Sequence, residues 1–222
     1  MIIDILTLFP ECFSYLNSSI LKRAQESGKL TINLIDIREF SKDKHKKCDD
    51  YPFGGGAGML MTAQPIFDAV KSIQKENSHI VFASPSGKTL TATKAKELSN
   101  YDHLIFICGH YEGIDQRILD IFKPEEISIG DYVLTSGELA SMVIIDCLSR
   151  FVDGVIAKES LEEESFSSGG LEYPQYTRPQ IFEGLEVPEV LVSGNHKEIE
   201  KWRKEASFKK TKSVRPDLLQ IE

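Results

Sequence analysis

Two stretches carry the residue types best suited to grip a small ligand. Gly109, His110, Tyr111, Glu112, Gly113, Ile114 and Asp115 begin where the apolar run ending in Ile107-Cys108 stops. Gly130, Asp131, Tyr132, Val133, Leu134, Thr135, Ser136, Gly137 and Glu138 begin where Ser128-Ile129 stops. Glycine at such points lets a ligand reach main-chain N–H and C=O groups that a bulky side chain would cover. A third stretch, Phe82-Ala83-Ser84-Pro85-Ser86-Gly87-Lys88, ends an apolar run in a turn signal. Three such loops at the carboxyl edge of one sheet would make a backbone-lined pocket, at the edge where open α/β sheets usually bind ligands.

Other candidate motifs are weaker. The run Phe53-Gly54-Gly55-Gly56-Ala57-Gly58-Met59 fits neither a dinucleotide fingerprint nor a phosphate loop: the glycine spacing from Gly54 ends on Met59, which also stands where a phosphate loop needs lysine. Asp49-Asp50-Tyr51-Pro52 before it is not expected to form a strand, so the run is open to two readings, a functional loop or a merely flexible one. The four cysteines, Cys12, Cys48, Cys108 and Cys147, form no CxxC pair, which argues for reduced, mostly buried thiols and against a thiolate metal site. No metal-ligand spacing is visible.

The elements that must position these loops alternate. Short apolar, β-branched runs near Ile2 to Phe9, Leu30 to Ile37, His79 to Ala83, His103 to Cys108 and Glu126 to Ile129 predict strands. Helical patterns lie between them, clearest at Ala63 to Lys75 and Thr91 to Ser99; Glu138 to Phe151 is apolar over most of its circumference, as a core or dimer-interface helix would be. The pattern predicts an α/β domain with a largely parallel sheet over residues 1–158. Glu162-Glu163-Glu164-Ser165, followed by Ser167-Ser168-Gly169-Gly170, makes residues 159–171 a linker by composition. Residues 172–222 are expected to form a small helical domain, with Asn195 capping a helix that carries Trp202.

At 222 residues the chain can hold one medium domain and a small appendage. Its hydrophobic fraction of 41% is that of a soluble globular protein, and no apolar run approaches the length of a membrane span. The amino-terminal run lacks a basic flank and carries Asp4, so it reads as a first strand in a cytoplasmic protein. A net charge of −8 would ordinarily count against a nucleic-acid partner. The charge is uneven, however. Between Lys201 and Arg215 seven basic residues face Glu205 alone, a local excess of six positive charges. A second basic knot comprises Lys42, Lys44, His45, Lys46 and Lys47. Each run taken alone is equally compatible with a solvated surface.

Taken together, the stretches resemble the tRNA (guanine-N1)-methyltransferase family. The likeness is carried by Asp49 to Met61, Ser84-Pro85, His110 to Asp115, Ser128 to Leu134, Ser149-Arg150-Phe151, Tyr176-Thr177-Arg178-Pro179, Ser193 to His196 and Trp202-Arg203, almost end to end. It implies a fold that spacing does not: a SPOUT-type, trefoil-knotted α/β domain working as a homodimer. It also implies S-adenosylmethionine as methyl donor, held by Ser84, Pro85, Gly109, Tyr111, Glu112, Gly113, Ile129, Gly130, Tyr132, Leu134 and Gly137. Dependence on Mg²⁺ is implied as well. The expected substrate is the anticodon loop of tRNA, methylated at the guanosine of position 37, just 3′ of the anticodon.

Guanine N1 carries a proton, so the reaction needs a base to remove it and a cation to stabilise charge developing on O6. The resemblance gives these roles to Glu172 and Arg150, drawn from different subunits. On the residues alone, Glu172 is an exposed linker acid and Arg150 a helix-terminal charge complementing the dipole. The same likeness makes Lys44, His45, Lys46, Trp202, Arg203, Lys209 and Lys210 RNA contacts and Asp50 a base-reading acid. Three departures stand out. Ser136 and Ala140 occupy positions where many relatives have glycine and proline, Glu172 replaces an aspartate found in some members, and the chain stops at Glu222 where relatives run on. Competing expectations are a SPOUT methyltransferase acting on another RNA position, and a non-catalytic RNA-binding protein.

Overall fold

The computed structural model describes residues 1–167 and 169–219. Ser168 of the expected linker and residues 220–222 of the expected helical domain lie outside the described residues. The chain divides into two compact units, Met1–Ile156 and Ala157–Glu222.

The first unit runs β1 (Ile2–Thr7), a 3₁₀ turn (Pro10–Asn17), α1 (Ser19–Glu26), β2 (Thr31–Asp36), β3 (Asp49–Asp50), β4 (Leu60–Met61), α2 (Ala63–Ile73), β5 (His79–Thr89), α3 (Ala92–Leu98), β6 (His103–Ile107), α4 (Gln116–Phe122), β7 (Glu125–Ser128) and α5 (Gly137–Ser149). Five of these strands form one parallel sheet in the order β2-β1-β6-β5-β7. The alternation of side chains along a strand explains its two cores. Ile3 and Ile5 of β1 and Leu104 and Phe106 of β6 point to one face, where Leu21 of α1, Leu98 of α3 and Ile144, Ile145 and Leu148 of α5 cover them. Leu6, Ile105 and Ile107 point to the other, beneath Ile66, Ala69 and Val70 of α2 and Ile118 of α4. The expected α/β sheet and all five of its strands are present.

Two local expectations are corrected. Asp49–Asp50, read as no strand, pairs antiparallel with Leu60–Met61, because buried Cys48 and Met61 anchor both ends of the glycine-rich loop to the core. Ser84 to Lys88, read as a turn ending the strand, lies inside β5. There Ala83 and Lys88 both register with Ile127 of β7, so residues 84–87 bulge outward. Pro85 has no N–H to give to a ladder, and a Cβ on Gly87 would stand 2.4 Å from the Glu126 carbonyl carbon. The bulge keeps the loop at the site without ending the strand. The amphipathic α1, the 3₁₀ turn and α4 were not anticipated; α4 is only seven residues long, and Asp115 caps it by accepting from the Arg117 amide at 2.9 Å.

At the amino-terminal side of the sheet, buried Asp4 and His103 are satisfied by each other and by the less buried Ser78 and Asn33. His103 Nε2 lies 2.8 Å from Asp4 Oδ2, His103 Nδ1 lies 2.7 Å from Ser78 Oγ, and Asn33 donates to Asp4 Oδ1 at 2.7 Å.

The second unit contains α6 (Lys158–Glu162), an antiparallel hairpin of β8 (Ile181–Phe182) and β9 (Leu185–Glu186), α7 (Glu189–Val192) and the long α8 (His196–Val214). Asn195 caps α8, as its position suggested, accepting from Glu198. The segment before the hairpin is tied to α8: Leu171 donates through its amide to Thr211 Oγ1 at 2.9 Å and accepts from Ser207 Oγ at 2.6 Å. Among the described residues no helix is long and apolar enough to cross a membrane.

Candidate active site

At the carboxyl ends of β5, β6 and β7 the first unit opens a cleft of about 420 Å³, within the size range of small-molecule sites. Its walls are the β5 bulge, the segment after β6 and the segment after β7. All eleven residues singled out for the cofactor, Ser84, Pro85, Gly109, Tyr111, Glu112, Gly113, Ile129, Gly130, Tyr132, Leu134 and Gly137, line it.

Each wall is held by its own backbone logic. After β6, Tyr111 adopts a left-handed φ of 58°, a conformation costly for an aromatic residue and commonest at functional turns. Gly113 closes that turn, its amide donating to the His110 carbonyl. The same segment is clamped to the end of the glycine-rich loop: Met61 donates to Gly113, Asp115 donates to Met61, and Glu112 donates to Met59. Arg117 holds the Asp115 carboxyl below the usual carboxylate range. After β7, Ser128 Oγ both donates to the Gly130 carbonyl and accepts from its amide. The Tyr132 hydroxyl turns back to the Ile129 carbonyl at 3.0 Å. Gly130, at φ 146°, has no room for a side chain, since its Cβ would meet the Tyr132 ring at 2.4 Å. Behind the cleft, burial pushes the Cys108 thiol far up, so it is an inert wall group.

Several lining groups were not among the residues assigned to the donor. His110, Gln116, Leu119, Glu126, Ser136 and Ala140 also face the cleft. The first sits inside the quoted motif, and its ring packs 4.8 Å from that of Phe9. Beside Gly137, Glu138 is almost wholly buried; Thr7 Oγ1 donates to its Oε1 at 2.7 Å, while Oε2 has no partner among the described residues. Its only sequence signal is an acid in the first turn of an otherwise apolar helix.

The proposed reacting groups belong to separate units. Arg150 is the half-buried residue closing α5. Glu172 is half-buried in the second unit; its amide donates to Ser165 Oγ at 3.0 Å, its carboxylate accepts from Gln175, and its carbonyl accepts from Lys210 at 3.0 Å.

The expected RNA contacts fall in two places. Lys44, His45 and Lys46 are exposed on a turn organised by Asp43, whose carboxyl is held low by the amides of His45 and Lys47. Lys46 pairs with Glu39 and Lys42 with Asp68, which reduces the charge the knot offers. Asp50 is exposed on β3, accepting from the Tyr51 amide. On α8, Lys209 is exposed and Trp202 half-buried, while Arg203 lies over the Tyr173 ring at 4.8 Å and pairs with Glu163 at 3.2 Å.

Comparison with known proteins gives the family of the chain. The family model described as "tRNA (Guanine-1)-methyltransferase TrmD" matches residues 1–221. A protein of Caldicellulosiruptor saccharolyticus named tRNA (guanine-N(1)-)-methyltransferase is 58% identical over 221 residues, 99% of this chain and 90% of the relative. Relatives of the same name from Carboxydothermus hydrogenoformans and Clostridium botulinum (strain Kyoto / Type A2) are 59% and 57% identical, covering 100% and 98% of this chain and 88% and 91% of their own lengths. By this agreement over nearly its whole length, the chain belongs to the tRNA (guanine-1)-methyltransferase family.

Proposed function

We propose that this protein is an enzyme that moves the methyl group of S-adenosylmethionine to N1 of the guanosine at position 37 of tRNA, 3′ of the anticodon. The observation that carries the reading is the meeting of the β5 bulge and the segments after β6 and β7 on one cleft in a chain of this family. Pro85, Ile129, Leu134 and Ala140 offer apolar surface for a purine, while Ser84, Glu112 and exposed main chain offer polar partners. The residues present therefore fit the donor. Bound there, it supplies an electrophilic methyl group on a sulfonium.

The chain's own task is mainly alignment, which can contribute several kcal/mol, and proton handling. Glu172 takes the N1 proton of the guanine, and Arg150 offsets the negative charge that moves to O6. A splayed loop base is accessible at modest cost; Lys44, His45, Lys46, Lys209 and Lys210 contact phosphates, Trp202 and Arg203 support the RNA, and Asp50 reads a base edge. Among the described residues no group of three or more His, Cys, Asp or Glu is placed to hold a metal ion, and the proton and charge handling proposed above does not pass through Mg²⁺.

The protein works in the cytoplasm as a homodimer, with residues 1–158 as the methyltransferase domain, 159–171 as linker and 172–222 as the RNA-binding domain. The knotted arrangement is supported by the path after β7. From that edge strand the chain returns to the middle of the sheet, where Gly137 donates to the Gly109 carbonyl and α5 contacts β5 and shares a buried cluster with residues of β1 and β6.

The test is methyl incorporation from labelled donor into unmodified tRNA and into tRNA whose position-37 guanosine is replaced. Transfer to the first alone is expected. Transfer that survives replacement points to another RNA position, and binding without transfer to a non-catalytic protein.

A further inference from the structure

A second cleft, of about 340 Å³, lies wholly inside the second unit. Tyr173, Tyr176, Leu191, His196, Ile199 and Arg203 are among its lining residues. The Arg203 guanidinium is fixed in place, lying over the Tyr173 ring and bonded through Nη1 to Glu163. Its Nε is buried with no acceptor among the described residues, but the side chain as a whole is 39% exposed, so the terminal amino groups keep donor capacity for a ligand. Tyr176 is half exposed, its ring turned toward that of Trp202 at 6.3 Å.

The charges in this cleft cancel. Glu163 answers Arg203, and Lys204 answers Glu200 at 2.6 Å. A site with aromatic walls, a flat guanidinium and little net charge suits a planar, nearly neutral ring better than a free anion. The same helix carries the chain's densest basic run, Lys201 to Arg215, able to neutralise a phosphate backbone leading to the cleft. We infer that this cleft is a subsite for one unstacked nucleobase of an RNA strand, gripped by stacking on Tyr176 and by donors of Arg203. This rests on the proposed tRNA substrate and adds a second anchoring point to it, distinct from the methylated guanine.

The chain contains a single tryptophan, so emission reports on Trp202, whose ring lies 6.3 Å from that of Tyr176 at the side of the cleft. Full-length protein is titrated with unmodified tRNA, with a seven-nucleotide single-stranded RNA, and with guanosine and adenosine monophosphates. Both RNAs are expected to shift the emission, and the mononucleotides to do so only at far higher concentration. Because stacking on one ring contributes substantially to affinity, Tyr176→Ala should weaken the short RNA roughly tenfold or more, whereas Tyr176→Phe should bind as the parent does. Donor titration by calorimetry reads the first cleft in every variant and should not change. RNA that binds without moving Trp202 emission, equal affinity for Tyr176→Ala, or saturation by mononucleotides with no response to RNA would each overturn the assignment. A Trp202 response in a protein that transfers no methyl group would instead overturn the proposed reaction and leave the subsite standing.

Discussion

Gly137 donates its amide to the carbonyl of Gly109 at 2.7 Å, and a Cβ added to Gly137 would stand 2.7 Å from the Gly109 nitrogen. The start of α5 and the end of β6 are therefore in backbone contact, with no space for even a methyl group. Both neighbours are main chain, so neither can swing aside. Gly137→Ala is expected to destabilise the protein by about 1–3 kcal/mol, as overpacking typically does, and to weaken donor binding by at least tenfold, since the two segments form facing walls of the cleft. Thermal unfolding and calorimetry measure the two effects, and a variant matching the parent in both would dissociate this contact from the site.

Glu172 is placed to test the chemical step by itself. Glu172→Gln preserves the size of the side chain and its link to Gln175 while removing the proposed base. General-base catalysis typically contributes 10²–10⁴-fold, so single-turnover methyl transfer should slow by about that range, with donor affinity in the first unit unchanged. An unaltered single-turnover rate removes Glu172 from the mechanism.

Arg150→Ala should lower the transfer rate by about 10²–10³-fold, the usual effect of deleting one group that stabilises developing charge. Arg150→Lys keeps the charge but loses the planar fork, so it should recover only part of the rate. Measured as kcat against KM, the loss belongs in kcat; a loss confined to KM would make Arg150 an RNA-binding residue instead.

Much of the fold was legible because its central strands β1 and β6 are buried on both faces and hence written as continuous apolar runs. Ile3 to Leu6 and Leu104 to Ile107 are fully buried apart from Asp4, whose partners His103 and Asn33 are remote in sequence. The loops of the cleft were legible because glycines at strand ends are conspicuous, whereas the eleven residues that share the cavity were named by the family resemblance. What could not be read depends on tertiary contacts. The two-residue strand Asp49–Asp50 exists only because Leu60–Met61 lies opposite it. The β5 bulge needs β7 to define its register, and Pro85 with Gly87 looks locally like a turn. Nor does any local pattern announce that Arg203, expected to face RNA, lies half-buried over Tyr173.

The last prediction concerns acid stability and follows from a three-way contact on the first unit. Glu125 accepts from His79 Nε2 at 2.8 Å and from Lys94 Nζ at 2.9 Å. Partial burial alone would raise the Glu125 carboxyl, but Lys94 and His79 outweigh it and hold the group below its ordinary value. The ammonium of Lys94 is correspondingly raised by Glu97 and Glu125. A carboxyl depressed in the folded state binds its proton more weakly there than in the unfolded chain. Its stabilising contribution is thus complete above the unfolded value, about pH 4.3, and disappears as pH falls through the lower folded value. Lys94 acts in the opposite sense, contributing below its unfolded value and losing that contribution only in strong alkali. Glu125→Gln should therefore lower Tm at pH 7, and the difference from the parent should shrink as pH drops below about 4.3, because protonation neutralises the parent's carboxyl too. A Tm difference that stayed constant from pH 7 to pH 3 would mean that Glu125 acts through packing or neutral hydrogen bonding rather than through its charge.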